Sequence, residues 1–234
     1  MTNFDPFGFS ARLIESAERL LPECYKKPDA GRAVLHDGYL SCELSLKTLL
    51  ENAGFSPDEL KKCSHNFTDL LILVGACDMP TSGGKTRKAT SIRSVCAVPG
   101  VYNSTVGNLL DSLPYADEYP SGIRYAQKFD NYDPETMVGC ARAVLDWCRK
   151  NFNNLQLPPQ GEAHFLLSRV YSEGRKGISK DERKANYWCQ RAIKLGHAGI
   201  ARIQLPSATP CIYGVCRRVF RFVFSCRCAC AGGC

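Results

Sequence analysis

The stretch "KANYWCQRAIKLGHAG", residues 184–199, decides how the C-terminal half of the chain is read. Ala185, Trp188, Ala192 and Leu195 stand three and four apart, the spacing of one face of an α-helix. Gly196 supplies a stop signal just beyond it. The face alternates large and small side chains, which predicts a helix held close to a neighbour at its alanines. Working outward, Ala163, Leu167 and Tyr171 stand four apart in an upstream helix. Gly174 and Gly177 permit a turn with positive φ between the two, and Asp181 caps the second helix. Tyr171 and Trp188 then fill the gap where the pair splays, so Trp188 reads as a packing residue.

These positions (Ala163, Leu167, Tyr171, Gly174, Gly177-Ile178, Asp181, Lys184-Ala185, Trp188, Arg191-Ala192 and Gly196) resemble one Sel-one-like repeat, a helix-turn-helix unit related to the tetratricopeptide repeats. Three departures are visible. Ser168 stands where the family has glycine, one residue is inserted between Gly174 and Gly177, and Ile193 replaces an alanine. The resemblance covers about residues 161–197 and implies a scaffold that offers helical surface to peptides or protein partners. "HAGIARIQLP" begins a second copy at Ala201 and Leu205, and Pro206 breaks it off. A lone repeat cannot bury both its faces, so it must lean on the N-terminal part, on a partner or on a second copy of the chain.

The N-terminal 152 residues read as helix almost throughout. Leu13, Ile14, Ala17, Leu20 and Leu21 form an apolar stripe ahead of Pro22. Asp29 opens a longer helix that ends at Gly54 and turns Val34, Leu35, Cys42, Leu46, Leu49 and Leu50 inward. Ser56, Pro57 and Glu59 form the start of a third helix, with Glu59 closing a capping box. "NFTDLLILVGAC" continues helically from about Phe67. Residues 78–90 read as a loose basic loop, a further helix is expected around Tyr102–Leu113, and "PYADEYPSGIRY" reads as an extended connection. Asp133 and Pro134 open the clearest helix, with Met137, Val138, Ala141, Val144, Leu145, Cys148 and Phe152 in one stripe. "GYLSCELSLKTLLENAGF" (38–55), "SHNFTDLL" (64–71) and "EYPSGIRY" (118–125) together resemble the HEPN domain, an all-α bundle, over about residues 9–152.

The expected fold class is therefore all-α: a HEPN-like helical bundle over 1–152, a linker over 153–160 containing Pro158 and Pro159, a Sel-one-like hairpin with a truncated second copy over 161–205, and an irregular tail over 206–234. Of the 14 cysteines, eight lie between Cys24 and Cys189, mostly within helical patterns, and read as reduced, buried small hydrophobes. No apolar run is long enough to span a bilayer, and no secretory-signal pattern opens the chain, so a cytoplasmic location is expected. The formal charge is +7, of which the tail's four arginines leave +3 for residues 1–205. The tail, "PSATPCIYGVCRRVFRFVFSCRCACAGGC", is open to three readings. It binds a soft metal through Cys226, Cys228 and Cys230, it is acylated beside its basic run, or it results from a reading-frame change. The last is favoured, because the second repeat stops in mid-helix.

Chemistry is read against this frame of helices. By resemblance, catalytic HEPN proteins are ribonucleases carrying an Arg and a downstream His with four to six residues between them. Here Arg32 and His36 have three residues between them and sit in the wrong helix, and the final helix contains no histidine. "GGKT" (83–86) lacks the upstream glycine of a Walker A loop, where Met79 stands. His36, His65, His164 and His197 form no metal-ligand spacing, and His65 is expected to hydrogen-bond at a helix junction. Glu43, Asp69 and Glu135 are explained by helix surfaces or caps. No catalytic residue, cofactor or metal is expected. The leading expectation is a non-enzymatic interaction protein whose partner-binding surface, for a protein or peptide, is lined by exposed His164, Ser168 and Arg169. The alternative is RNA binding, or regulation of a ribonuclease, through Lys85, Arg87, Lys88 and Arg93.

Overall fold

In the computed structural model, which describes residues 5–81, 83–101, 104–112, 119–124, 133–174 and 178–197, four helices begin where a side chain accepts from a first-turn amide. Helices α1 (Gly8–Cys24), α2 (Pro28–Ala53), α3 (Pro57–Cys63) and α4 (Phe67–Ala76) follow one another closely. Ser56 and Glu59 form the expected capping box of α3, and the Asn66 side chain accepts from the Asp69 amide to open α4. After α4 come strands β1 (Asp78–Pro80) and β2 (Thr86–Lys88), a 3-10 turn at Thr90–Ser94, a π-helical turn at Asn108–Ser112 and the short α5 (Ser121–Arg124). Asp133 caps α6 (Pro134–Asn151), and Asp181 caps α8 (Glu182–Lys194), which follows α7 (Glu162–Glu173). The described chain is all-α apart from one two-stranded ribbon.

The expected apolar stripes face inward. Val34, Leu35, Cys42, Leu46, Leu49 and Leu50 of α2 pack with Met137, Val138, Ala141, Val144, Leu145 and Cys148 of α6 in one core. Helix α2 lies close against α6 at Gly38, where a Cβ would lie 2.8 Å from the Met137 side chain. Helix α1 covers the same core with Ile14 and Ala17, and Ser41 Oγ of α2 donates to the Ser10 carbonyl of α1 at 3.0 Å. The core thiols behave as small hydrophobes; burial pushes that of Cys77 up to about 12.

Helices α7 and α8 form the antiparallel hairpin that residues 161–197 predict. Ser168 Oγ donates to the Ala185 carbonyl at 2.9 Å, and the Asp181 amide bonds the Tyr171 carbonyl at 3.1 Å. At the open end Gly161, φ +68°, lies against α8; a Cβ there would be 2.9 Å from the Ala192 backbone, so only glycine fits. Gly174 leaves α7 at φ +68°, as the turn requires. Ala163, Leu167, Tyr171, Ala185, Trp188 and Ala192 are buried, but Leu195, the last residue of the stripe read from the sequence, is 38% exposed.

Two expectations need correction, at residues 78–90 and in the connection before α6. Residues 78–90 contain an ordered antiparallel ribbon, pairing Asp78 with Lys88, Met79 with Arg87 and Pro80 with Thr86. The connection before α6 contains the helix Ser121–Arg124 within its described part. Residues 153–160 are tied down along their length: Asp78 and Gln156 exchange two backbone bonds of 2.9 Å, the Leu157 amide bonds the Ala53 carbonyl, and Leu155 is buried. One apolar core accordingly runs from Phe7 to Trp188. The expected second copy, with Ala201 and Leu205, lies outside the described residues, as do the tail's Cys226, Cys228 and Cys230 and the ends of the helix expected at 102–113.

Trp188, 1% exposed, is the largest fully buried side chain. Trp188→Ala is expected to lower the stability of the whole chain by about 3–5 kcal/mol, read by urea unfolding. A change below about 1 kcal/mol would show that the hairpin does not depend on this packing.

Candidate functional site

The lone hairpin leans on the bundle, and two buried carboxylates of the bundle hold it there. Glu59 of α3 is 3% exposed. Its Oε2 accepts from the Ser56 amide at 2.8 Å and the Ser56 hydroxyl at 2.7 Å, closing the capping box. Its Oε1 accepts from His164 Nε2 of α7 at 2.7 Å and Arg191 Nε of α8 at 2.8 Å. Burial on its own would raise the carboxyl, but the bonds from His164, Ser56 and Arg191 outweigh it and hold Glu59 well below the usual carboxylate range. Asp69 of α4 is fully buried, and Tyr171 of α7 donates to its Oδ2 at 2.6 Å. Lys184 Nζ of α8 donates in turn to the Tyr171 oxygen at 3.0 Å, which makes a relay across three helices. Burial raises the Asp69 carboxyl to about 6, with the Tyr171 bond and the Lys184 charge acting against it.

The residues expected to line a partner surface separate in this geometry. His164 is 1% exposed, with its ring between Phe55 and Trp188, and Ser168 is 7% exposed beneath the Ala185 carbonyl. His164 faces the bundle and Ser168 faces α8, and the expectation that they stand exposed is corrected. The reason lies in α3: Glu59 reaches into the hairpin and draws His164 inward. Arg169 does face out, paired with Glu173 at 3.0 Å, on a stripe that includes exposed Glu162 and Leu166.

The four basic residues do not form one patch either. Lys85 and Arg87 are exposed on the ribbon. Lys88 is bound to Asp78 at 3.1 Å and Glu162 at 2.9 Å, and these carboxylates raise its pKa although burial opposes them. Arg93 is half-buried, its backbone within 2.9 Å of where a Gly107 Cβ would stand. Since Lys88 is paired with Glu162, the ribbon lies at the first turn of α7, and the two candidate surfaces adjoin.

Reading Glu43 and Asp69 as helix-surface carboxylates is also corrected. Glu43 is buried in α2, where it accepts from His65 Nδ1 at 2.9 Å, from Tyr119 OH at 2.9 Å and from Lys47 Nζ at 2.7 Å. The expectation that His65 bonds at a helix junction agrees with this. Glu135 stays on the first turn of α6 and accepts from Tyr25 OH at 2.7 Å. Neither buried carboxylate could be found from spacing alone, because the partners that reach them from other elements, His65 and Tyr119 for Glu43 and Tyr171 for Asp69, lie at least 22 residues away. Among the described residues no group of three or more His, Cys, Asp or Glu could hold a metal ion, and no helix is long and apolar enough to cross a membrane. No protein-family model, curated protein or solved structure matches the chain.

The two carboxylates give the seam opposite responses to pH. Glu59, depressed in the folded chain, contributes stability above its ordinary value of 4.5 and loses it as pH falls. Asp69, raised from 3.8 to about 6, contributes fully below 3.8 and loses that contribution as pH rises through about 6. Asp69→Asn keeps an acceptor for Tyr171 and cannot ionise. Urea unfolding should find it more stable than wild type by about 2–3 kcal/mol at about pH 8, and by little at about pH 3.5. A difference independent of pH would contradict this account of Asp69.

Proposed function

We propose that the chain is a non-enzymatic interaction protein that presents the outer stripe of α7 to a protein or peptide partner, with the exposed cations of the ribbon beside it. The observation that carries this reading is the locking of the hairpin by Glu59 and Asp69. A surface already ordered before contact loses little conformational entropy when a partner binds. Leu166, 37% exposed, gives the stripe an apolar centre. Glu162, Arg169 and Glu173 surround it with charges of both signs, and Lys85 and Arg87 stand on the adjoining ribbon. Apolar centres with polar rims are the usual arrangement of protein interfaces. The resemblances to a Sel-one-like repeat and to a HEPN-like bundle, read from the sequence, agree with this function. RNA binding through the ribbon is the weaker reading, since Lys88 is already neutralised by Asp78 and Glu162.

The test is capture of partners by the full chain, comparing wild type with a double variant, Leu166→Asp with Arg169→Glu. The expected result is a set of proteins retained by wild type, lost by the variant and kept by a control, Arg12→Glu on α1. Circular dichroism should be the same for all three. If the double variant folds and retains the same set, the α7 stripe is not the binding face.

A further inference from the structure

A cleft of about 220 Å³ opens between the α3–α4 turn and α8, and nothing in the interaction reading uses it. Ser64, His65 and Thr68 form one side, Tyr119 and Leu110 lie deeper, and Lys184 enters from α8. His65 is held there unusually firmly for a residue whose side chain is 46% exposed. Its Nδ1 lies 2.9 Å from Glu43 Oε2, and its ring meets Tyr119 edge-on at 5.6 Å. Glu43 is buried and ionised. Burial opposes its charge, but bonds from His65, Lys47 and Tyr119 hold its pKa below the ordinary carboxylate value. An ionised carboxylate can only accept, so Nδ1 carries the hydrogen and Nε2 is the free ring nitrogen. Lys47 Nζ also donates to the Ser64 carbonyl at 2.6 Å, fixing the turn that carries His65. Ser64 itself sits at φ +51°, ψ −122°, a backbone region where non-glycine residues are rare.

We propose that this cleft binds the phosphoryl group of a small phosphorylated molecule, a P–OH donating to His65 Nε2 while the remaining oxygens accept from Lys184 Nζ and from the Ser64 and Thr68 hydroxyls. The donors come from both walls of the cleft. A monoanionic phosphoryl group has a hydroxyl to give His65 Nε2 as well as oxygens for these donors, whereas a carboxylate ion has no hydrogen to give. Lys184 Nζ spends one hydrogen bond on Tyr171 and has donors left over. The negative charge nearest His65, that of Glu43, is balanced by Lys47 at 2.7 Å. This arrangement matches the orienting role that a buried carboxylate plays behind histidines in binding sites. A bound phosphoryl group would touch the bundle and α8 at once, bridging the seam.

The test uses the full chain with ¹⁵N-labelled histidine. Long-range ¹H–¹⁵N spectra, with the His65 signal assigned from His65→Asn, should report the Nδ1–H tautomer. Inorganic phosphate should then shift the His65 Nε2 resonance saturably, with a Kd on the order of 1 mM. Acetate at equal ionic strength should not. Lys184→Met should weaken phosphate binding at least ~10-fold, the loss of one charge-assisted bond. Glu43→Gln should release the ring and change the tautomer populations. If Lys184→Met does not fold, Thr68→Val serves in its place, with an expected loss of ~3-fold or more. An Nε2–H tautomer, a linear response to phosphate, an equal response to acetate, or unchanged binding in the folded variants would each overturn the proposal.

Discussion

A carboxylate removed from water stays ionised only if hydrogen-bond donors replace the water, and the placing of the hairpin rests on Glu59 meeting that demand. One of its oxygens is used locally, closing the capping box of α3 with Ser56. The other reaches across the seam to His164 and Arg191, one on each helix of the hairpin. A motif that ordinarily serves one helix end thus fixes the position of two others. Asp69 does the same from α4 through Tyr171 and Lys184. Apolar contact alone would let the hairpin slide, whereas directional bonds at two separated points set its register.

Local structure was readable from the sequence where it depends on neighbours along the chain. The caps at Ser56, Asp133 and Asp181, the stripes of α2 and α6 and the alanine–tryptophan face of α8 all lie at spacings that a helix imposes. The ribbon at residues 78–88 was missed because it contains only three residue pairs, too few for alternation to register. Leu195 continues the stripe by spacing but falls in the turn after α8 ends.

The candidate surfaces were harder to read, for a different reason. On period alone His164, Ser168 and Arg169 share an exposed side of α7, and only contacts with other helices say otherwise: the Ala185 carbonyl of α8 takes the Ser168 hydroxyl. Glu59, 105 residues earlier, decides that His164 turns inward. The same holds for Lys88, whose charge is balanced by Asp78 and by Glu162, 74 residues away. Counting cations in "SGGKTRKATS" gave a basic patch. Pairing in three dimensions reduces it to Lys85 and Arg87 on the ribbon, beside the α7 stripe.

Tandem repeats are ordinarily interchangeable, because each unit greets its neighbour with the same apolar contour. This hairpin is not interchangeable in that way. His164, Tyr171, Lys184 and Arg191 fit acids placed by α3 and α4, so a copy spliced behind a different bundle would bring unmatched polar groups into a dry interface. The unit is bespoke to its mount, and drift at either acid must be answered by matching change in the helices it holds.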